Sequence, residues 1–563
     1  METTRTLPSS PLQQARIVYQ SPLPEMLQSL ADIAFTKVPP TESIDNKSQL
    51  AALFPKTYGQ PLLHFQKGVK GESSPRRIGV VLSGGQAAGG HNVIAGLFDA
   101  LHSLNPNSTL IGFLGGPSGI ISNKSKEITP QLLSSYRNVG GFDMIGSGRT
   151  KIETAEQLQS SLTTIITHKL DGLVVIGGDD SNTNAALLAE YFLSKGRKTQ
   201  VIGVPKTIDG DLKNQHVEVS FGFDTACKVY SEMIGNILRD CLSAKKYTHF
   251  IKLMGRSASH ITLECALQTH PNMTFIGEEV RAKKSTLQDI TKELCDMLCK
   301  RAEKGKNYGV ILIPEGLIEF IPEIGTLIQE LNDNVPHNTS LVSAIDGSVS
   351  TESRASLVCK QLSSASATCF KGLPEKIQLQ LLLDRDPHGN VQVSRIETEQ
   401  LLIATCTEEL KRRETAGAYK GTFTPISHFF GYEGRSGFPS NFDTHYCYAL
   451  GTCAATLING SHTGYMATLQ KLTQPVAKWQ PMGIPLTMLM TMEQRHGKPK
   501  AVIQKRLTDL SGKPFKTFAE KRATWAIDDD YRCPGPIQFW GDKAITEATT
   551  LTLHLEHQTQ AGG

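Results

Sequence analysis

From residue 78 onward, short apolar runs closed by glycine and followed by stretches of helical period punctuate the chain. Ile78-Gly79-Val80-Val81-Leu82 ends in Ser83 and passes through Gly84–Gly90 into an amphipathic stretch, His91–Leu104. The same order of strand, turn and helix recurs at 109–114, 171–192 and 200–204. Apolar runs of this length between turn residues read as buried strands. Their alternation with helices predicts a mainly parallel sheet flanked by helices, an α/β fold. Ligands of such sheets sit at the carboxyl ends of the strands, so the loops there should carry the chemistry.

A second set of elements predicts a second lobe of the same kind. Thr248–Met254 enters Gly255-Arg256, and Tyr308–Pro314 enters Glu315-Gly316. Between about 318 and 410 the pattern turns helical and polar (Ile324–Asn332, Glu375–Leu383, Glu397–Thr405), as expected of a helical insertion. A glycine-rich stretch at 431–437 precedes a helix expected over Tyr446–Leu457. Residues 1–76 are interrupted by proline and serine, with weak helical patches such as Met26–Phe35. They read as an extension laid on the surface or on a partner. The expected organisation is therefore an extension over 1–76, one α/β lobe over 77–240, a second with the insertion over 241–470, and a C-terminal segment over 471–563. In that segment Asp528-Asp529-Asp530 and Ala561–Gly563 are expected at the surface.

Composition narrows the function classes. Hydrophobic residues make up 39% and charged residues 20% of 563, as in an ordinary soluble globular protein large enough for two or more domains. A formal charge of +4 is too small at this length to argue for nucleic acid or a membrane surface. No apolar run reaches the roughly 18 residues of a membrane span, and the N-terminus lacks the apolar core of a signal peptide. The eleven cysteines include no CxxC pair; Cys295 and Cys299 are expected to pack rather than bind metal. A cytoplasmic enzyme with reduced thiols fits these features.

The sharpest chemistry lies at Gly177-Gly178-Asp179-Asp180-Ser181, between the apolar run Leu173–Ile176 and a helix. Glycines at such a turn let a phosphate approach backbone and helix N-terminus. An acid there suits a metal ion, so Asp179 is the candidate for Mg²⁺ bridging to phosphoryl oxygens. A second acid, Asp180, would repel any further phosphate and so restrict the donor. Asp180 and Ser181 could also simply cap the helix. The glycine loop after Ser83 matches neither a Walker A nor a clean GxGxxG pattern, and its paired glycines suit backbone contact with an anion.

Pro205-Lys206-Thr207-Ile208-Asp209-Gly210-Asp211 follows the strand Val201–Val204. In an extended loop Thr207, Asp209 and Asp211 would share one face. A carboxylate there can accept a hydroxyl proton, and Lys206 can offset charge on a transferring phosphoryl group. Arg256, in Met254-Gly255-Arg256, and Arg435, in Tyr432-Glu433-Gly434-Arg435, each follow a strand and suit an acceptor phosphate, because the guanidinium fork binds phosphate oxygens bidentately. Lys245-Lys246-Tyr247 adds positive charge before one of those strands. His260 and His428 are expected to be packed or hydrogen-bonded rather than catalytic.

These segments resemble the phosphofructokinase family, and most closely its long, pyrophosphate-dependent branch. The motifs are SGGQAAGGHN (83–92), GGDDS (177–181), PKTIDGD (205–211), MGR (254–256), PEG (314–316) and GYEGRSGFPSNFD (431–443), in the family's order. The resemblance spans about residues 77–470. It implies Mg²⁺-dependent, near-reversible transfer of a phosphoryl group from pyrophosphate to the C1 hydroxyl of fructose 6-phosphate. The products would be fructose 1,6-bisphosphate and phosphate. By position it implies that Gly85 and Arg149 contact the diphosphate, that Asp179 holds the metal and that Asp209 is the base. Thr207, Ile208, Asp209, Met254, Gly255, Arg256, Glu315, Tyr432, Glu433, Gly434 and Arg435 would meet the sugar phosphate. Lys246 and Tyr247 would reach the sugar site of a second subunit, which implies a homodimer or larger homo-oligomer.

Two positions bear on the donor. ATP-using members carry glycine where this chain has Asp180 and a small residue where it has Lys206. An aspartate about 4 Å from a nucleotide phosphate costs on the order of 4 kcal/mol at an effective dielectric near 20. That is about a thousandfold in affinity. Lys206 would supply compensating charge for pyrophosphate. One departure is Ala88, which stands where the family has proline. The rival readings are an ATP-dependent phosphofructokinase, a non-catalytic regulatory subunit, and a lipid- or NAD-kinase relative. Intact Asp179, Asp209, Arg256 and Arg435 argue against the second, and the sugar-phosphate motifs against the third.

Overall fold

The buried strand expected at 78–82 lies inside the main sheet of the first of two compact units. In the computed structural model of the chain, residues 10–558 are described apart from 337, 349, 386–389, 496–497, 538–542, 544–546 and 548. The terminal Ala561–Gly563 lie outside the described residues. One unit comprises residues 1–226, 433–506 and 537–554, the other 227–432, 507–536 and 555–563.

In chain order the strands are β1 (Ile33–Pro40), β2 (Pro61–Lys67), β3 (Arg77–Ser83), β4 (Thr109–Phe113), β5 (Ser125–Glu127), β6 (Ser147–Gly148), β7 (Gly172–Gly177) and β8 (Gln200–Pro205). They continue with β9 (Thr248–Leu253), β10 (Met273–Thr274), β11 (Gly309–Pro314), β12 (Pro425–Phe430), β13 (Tyr465–Gln470), β14 (Gln480–Pro485), β15 (Met490–Arg495) and β16 (Lys498–Ile503).

The first unit's main sheet runs β1-β2-β14-β13-β8-β7-β3-β4-β5, with β6 beside β3. Its middle, β13 to β4, is parallel; antiparallel strands close both edges. β7 and β8 are buried along their whole length, as a doubly covered parallel sheet requires. Register places Ile176 opposite Leu82 and Gly177 opposite Pro205, so the loops after β3, β7 and β8 leave the sheet side by side. The helix Asn441–Asn459 packs tightly on Gly90–Leu104. A β-carbon on Gly96 would stand 2.0 Å from the Tyr448 carbonyl oxygen, so only glycine permits that approach.

Met26–Phe35 is not helical. Two short 3₁₀ turns (Glu25–Leu27, Leu30–Asp32) lead into β1, which pairs antiparallel with β2 and so extends the first sheet. The hairpin β15–β16 forms a separate two-stranded sheet in the same unit.

The second unit is built on a four-stranded parallel sheet, β10-β11-β9-β12. Pro314 and Phe430 both lie opposite Leu253, so the turns after β9, β11 and β12 meet at one edge. The helical stretch expected after β11 is present, from Leu317–Phe320 through Thr398–Thr415, and its apolar faces share a core with Phe250, Ile311 and Leu294. Cys295 is buried in that core and Cys299 packs against it. His428 lies 2.9 Å from His249 on the adjacent strand, hydrogen-bonded as expected. Asp529 is not a surface residue: it pairs with the buried Arg301 at 2.9 Å and with Lys306 at 3.0 Å, and accepts from the Tyr308 hydroxyl. Among the described residues no helix is long and apolar enough to cross a membrane.

Candidate active site

The turn after β7 is fixed by its own side chains. Asn182 donates through its amide to the carbonyls of Gly177 (2.6 Å) and Gly178 (2.9 Å), and the Ser181 hydroxyl donates to Ser83 at the end of β3. Asp179 and Asp180 occupy the first turn of the helix Asp179–Ser194, where the helix dipole favours negative charge. Burial pushes the Asp179 carboxyl above its ordinary range; Asp180 and Asp211 push the same way, against Lys505 and a backbone N–H. Asp180 is nearly half exposed and pairs with Lys151 at 3.1 Å. The repulsion it offers a nucleotide phosphate is therefore screened, and falls below the thousandfold expected of an enclosed charge.

The loop after β8 is not extended. Lys206 still bridges to Phe221, but the Thr207 hydroxyl accepts from the Asp209 N–H at 3.0 Å, and Gly210 has φ +73°. Strand alternation ends at that bend, so Thr207, Asp209 and Asp211 do not share a face by pleating. Asp211 turns back into the protein and is buried, 3.6 Å from the Lys505 ammonium. Ile208 is buried too.

Lys206 is buried, and burial lowers its ammonium to about 8. Arg149 and Arg435 press the same way; Asp209 and Asp179 oppose. The first glycine loop lies over it. Gly84 has φ +85°, and its N–H is taken by the Gly148 carbonyl at 2.9 Å. A β-carbon on Gly85 would stand 3.2 Å from an Arg435 guanidinium nitrogen and 3.3 Å from one of Arg149. Arg435 also bonds the Gln86 side chain. Two guanidiniums converging on a side-chain-free backbone position form a place for a polyanion. The first unit thus brings together Gly85, Arg149, Asp179, Asp180, Lys206, Asp209 and Arg435 with Asp211. Two further residues, Lys151 and Lys505, carry no local motif that would have singled them out, whereas Gln86 lies within SGGQAAGGHN and was not picked from it.

The second unit gathers its own set. The Gly255 N–H donates to the Glu315 carboxylate at 3.0 Å, the Met254 N–H to the Phe430 carbonyl at 2.9 Å, and the Tyr230 hydroxyl to the Gly431 carbonyl. Gly316 is required, since a β-carbon there would meet the Arg256 carbonyl oxygen at 1.9 Å. Tyr432 is 72% exposed, and the Lys246 ammonium sits 4.9 Å over the Tyr247 ring. Glu433 and Gly434, which belong to the first unit, lie in the short 3₁₀ turn Tyr432–Gly434 before Arg435.

A polyanion cradle at parallel strand ends beside an acid pair is one half of a phosphotransferase, and residues 77–366 match the family described as phosphofructokinase. The chain belongs to the phosphofructokinase family. Within it, the chain is 54% identical to a protein of Arabidopsis thaliana named pyrophosphate–fructose 6-phosphate 1-phosphotransferase subunit beta 1, over 98% of this chain and 95% of that one. It is 51% identical to the pyrophosphate–fructose 6-phosphate 1-phosphotransferase of Treponema pallidum, over 98% and 97% of the two chains. Among solved structures, a pyrophosphate-dependent phosphofructokinase from Marinobacter aquaeolei aligns with 81% of this chain and 93% of its own, at 14% identity and a TM-score of 0.48. The two parallel-centred sheets described above give the chain the α/β architecture expected from its sequence.

The acids after β7 stand at the start of a helix, in the first turn of Asp179–Ser194. Among the described residues no cluster of three or more His, Cys, Asp or Glu forms a metal cage. Asp179 and Asp211, both largely buried, face one ammonium at 3.6 Å each, a pair of carboxylates already holding a cation. One or two carboxylates completed by substrate oxygens is the arrangement Mg²⁺ favours, so the residues present fit that ion.

Proposed function

We propose that the chain transfers a phosphoryl group from pyrophosphate to the C1 hydroxyl of fructose 6-phosphate, with Mg²⁺ held at Asp179. The observation that carries this reading is the buried Lys206 ammonium under the first glycine loop, beside Asp209, with Arg149 and Arg435 converging on Gly85. Asp209 accepts the proton as the sugar oxygen forms its bond to phosphorus. The P–O–P bond breaks, and the departing phosphate keeps its charge against Lys206 and the guanidiniums. Bound Mg²⁺ supplies further neutralisation of the phosphoryl oxygens. Asp180 disfavours the additional phosphate of a nucleotide.

By their motif positions Met254, Gly255, Arg256, Glu315 and Tyr432 are assigned to fructose 6-phosphate, and so, on their own motifs, are Thr207, Ile208, Asp209, Glu433, Gly434 and Arg435. Lys246 and Tyr247 are assigned to the sugar site of a second copy in a homodimer. The cytoplasm suits a chain whose eleven cysteines are all free.

Turnover with fructose 6-phosphate and Mg²⁺, comparing pyrophosphate with ATP, tests the reading. Activity with pyrophosphate alone is expected; activity with ATP alone would overturn the donor assignment.

A further inference from the structure

Lys505 reaches the acid pair from the far C-terminal side of the sequence. It follows β16, and the backbone on either side of it is anchored. The Ile503 N–H donates to the Thr183 hydroxyl at 3.0 Å, in the helix whose first turn carries Asp179, and the Arg506 N–H donates to the Asp211 carbonyl at 2.7 Å. Between those anchors the Lys505 ammonium stands 3.6 Å from Asp179 Oδ2 and 3.6 Å from Asp211 Oδ2. That separation is an ion pair rather than a hydrogen bond, and the lysine side chain is 31% exposed. A cation held electrostatically on a flexible stem can be displaced without breaking the structure that delivers it.

We propose that Lys505 is a resident counter-ion at the metal-binding acids, excluding free divalent metal until diphosphate arrives with it. This rests on the reading of Asp179 as the metal residue. With the ammonium in place one of the two acids' negative charges is offset, and a free divalent ion must compete with it for them. A metal–diphosphate complex brings its own negative charge, which draws the displaced ammonium away from the carboxylates. Lys505 is thus a positioning residue that couples metal entry to donor entry. It contributes a cation distinct from Lys206.

The test is a titration of the full chain with Mn²⁺, counting free ion by electron paramagnetic resonance. Without diphosphate, Lys505→Met should bind Mn²⁺ about tenfold more tightly than the parent, since a unit positive charge beside two carboxylates is removed. Lys505→Arg, which keeps the charge, should stay near the parent. Inorganic diphosphate should narrow the gap between Lys505→Met and the parent. A merely structural lysine would not tighten metal binding when removed. Unchanged or weaker binding in Lys505→Met, matched by Lys505→Gln with an unaltered thermal melt, would overturn the proposal. So would a gap that diphosphate leaves intact. Asp179→Asn separates the two readings: if it abolishes Mn²⁺ binding, the metal assignment stands whatever Lys505 does. If binding survives, the metal assignment itself fails.

Discussion

The Lys206 ammonium lies 3.3 Å from the point where a β-carbon would stand on Gly84. Gly84 also holds φ +85°, a conformation that L side chains rarely adopt. Its substitution therefore acts twice, through backbone strain and through displacement of the buried charge. Gly84→Ala should cost about 1–2 kcal/mol in strain alone and lower kcat/KM for pyrophosphate by about tenfold or more. Steady-state kinetics check this, and an unchanged kcat/KM would detach Lys206 from the donor.

Lys206 sets an alkaline limit. Burial lowers its ammonium to about 8, so the charged form dominates below that pH and is lost as pH rises through it. The rate with pyrophosphate should fall by about tenfold per pH unit above that point, well before an ordinary lysine at about 10.4 would titrate. Lys206→Arg should move the limb upward, read from a pH profile of kcat/KM.

Asp180 governs the donor in company with Lys151. Asp180→Gly removes the repulsion and leaves Lys151, now 3.1 Å from no carboxylate, to meet additional phosphate. ATP turnover should rise by about tenfold rather than a thousandfold, because the parent pair is partly exposed and screened. Parallel assays with the two donors at low and high salt would show this; a gain indifferent to salt would contradict the screened-pair account.

A buried acid pair makes stability depend on pH. Burial, then the nearby Asp224, push Asp443 up to about 7, although it accepts from Thr225 and the Gly222 N–H. In the unfolded chain that carboxyl is ionised above about pH 4, so between about 4 and 7 the folded protein holds a proton the unfolded chain has lost. Stability should therefore decline as pH rises through that window and level off above it. Melting temperatures from pH 5 to 8 check the direction, and Asp224→Asn should flatten the slope.

In the second unit, Gly316→Ala would set a β-carbon 1.9 Å from the Arg256 carbonyl oxygen. The overpacked turn should cost about 1–3 kcal/mol and shift Arg256, raising KM for fructose 6-phosphate more than KM for pyrophosphate. Equal changes in the two constants would show a general loss of fold instead.

Doubly buried parallel strands must be apolar along their length. For that reason β3, β7, β8, β9 and β11, with the loops that leave them, could be read from the sequence. The helix after the glycine turn was legible too, by its place after the apolar run of β7. Met26–Phe35 misled because its apolar spacing suits a helix, whereas its partner, β2, lies some thirty residues on. The bend at Thr207 escaped because one hydroxyl–backbone bond outweighs strand alternation. Asp529 looked solvated because its partner Arg301 is more than two hundred residues away.

The sequence by itself determined the family, the order of the strand-end loops and the residue types that chemistry needs, since those are written in contiguous motifs. Only the tertiary structure decided that β13 lies beside β8, that Arg149 and Arg435 converge on Gly85, and that Lys505 reaches Asp179 and Asp211. These are pairings between residues far apart in the chain, from 64 positions for Arg149 and Gly85 to more than three hundred for Lys505 and Asp179. Long-range charge and packing partners leave no local periodicity, because the energy that selects them exists only once the chain has closed.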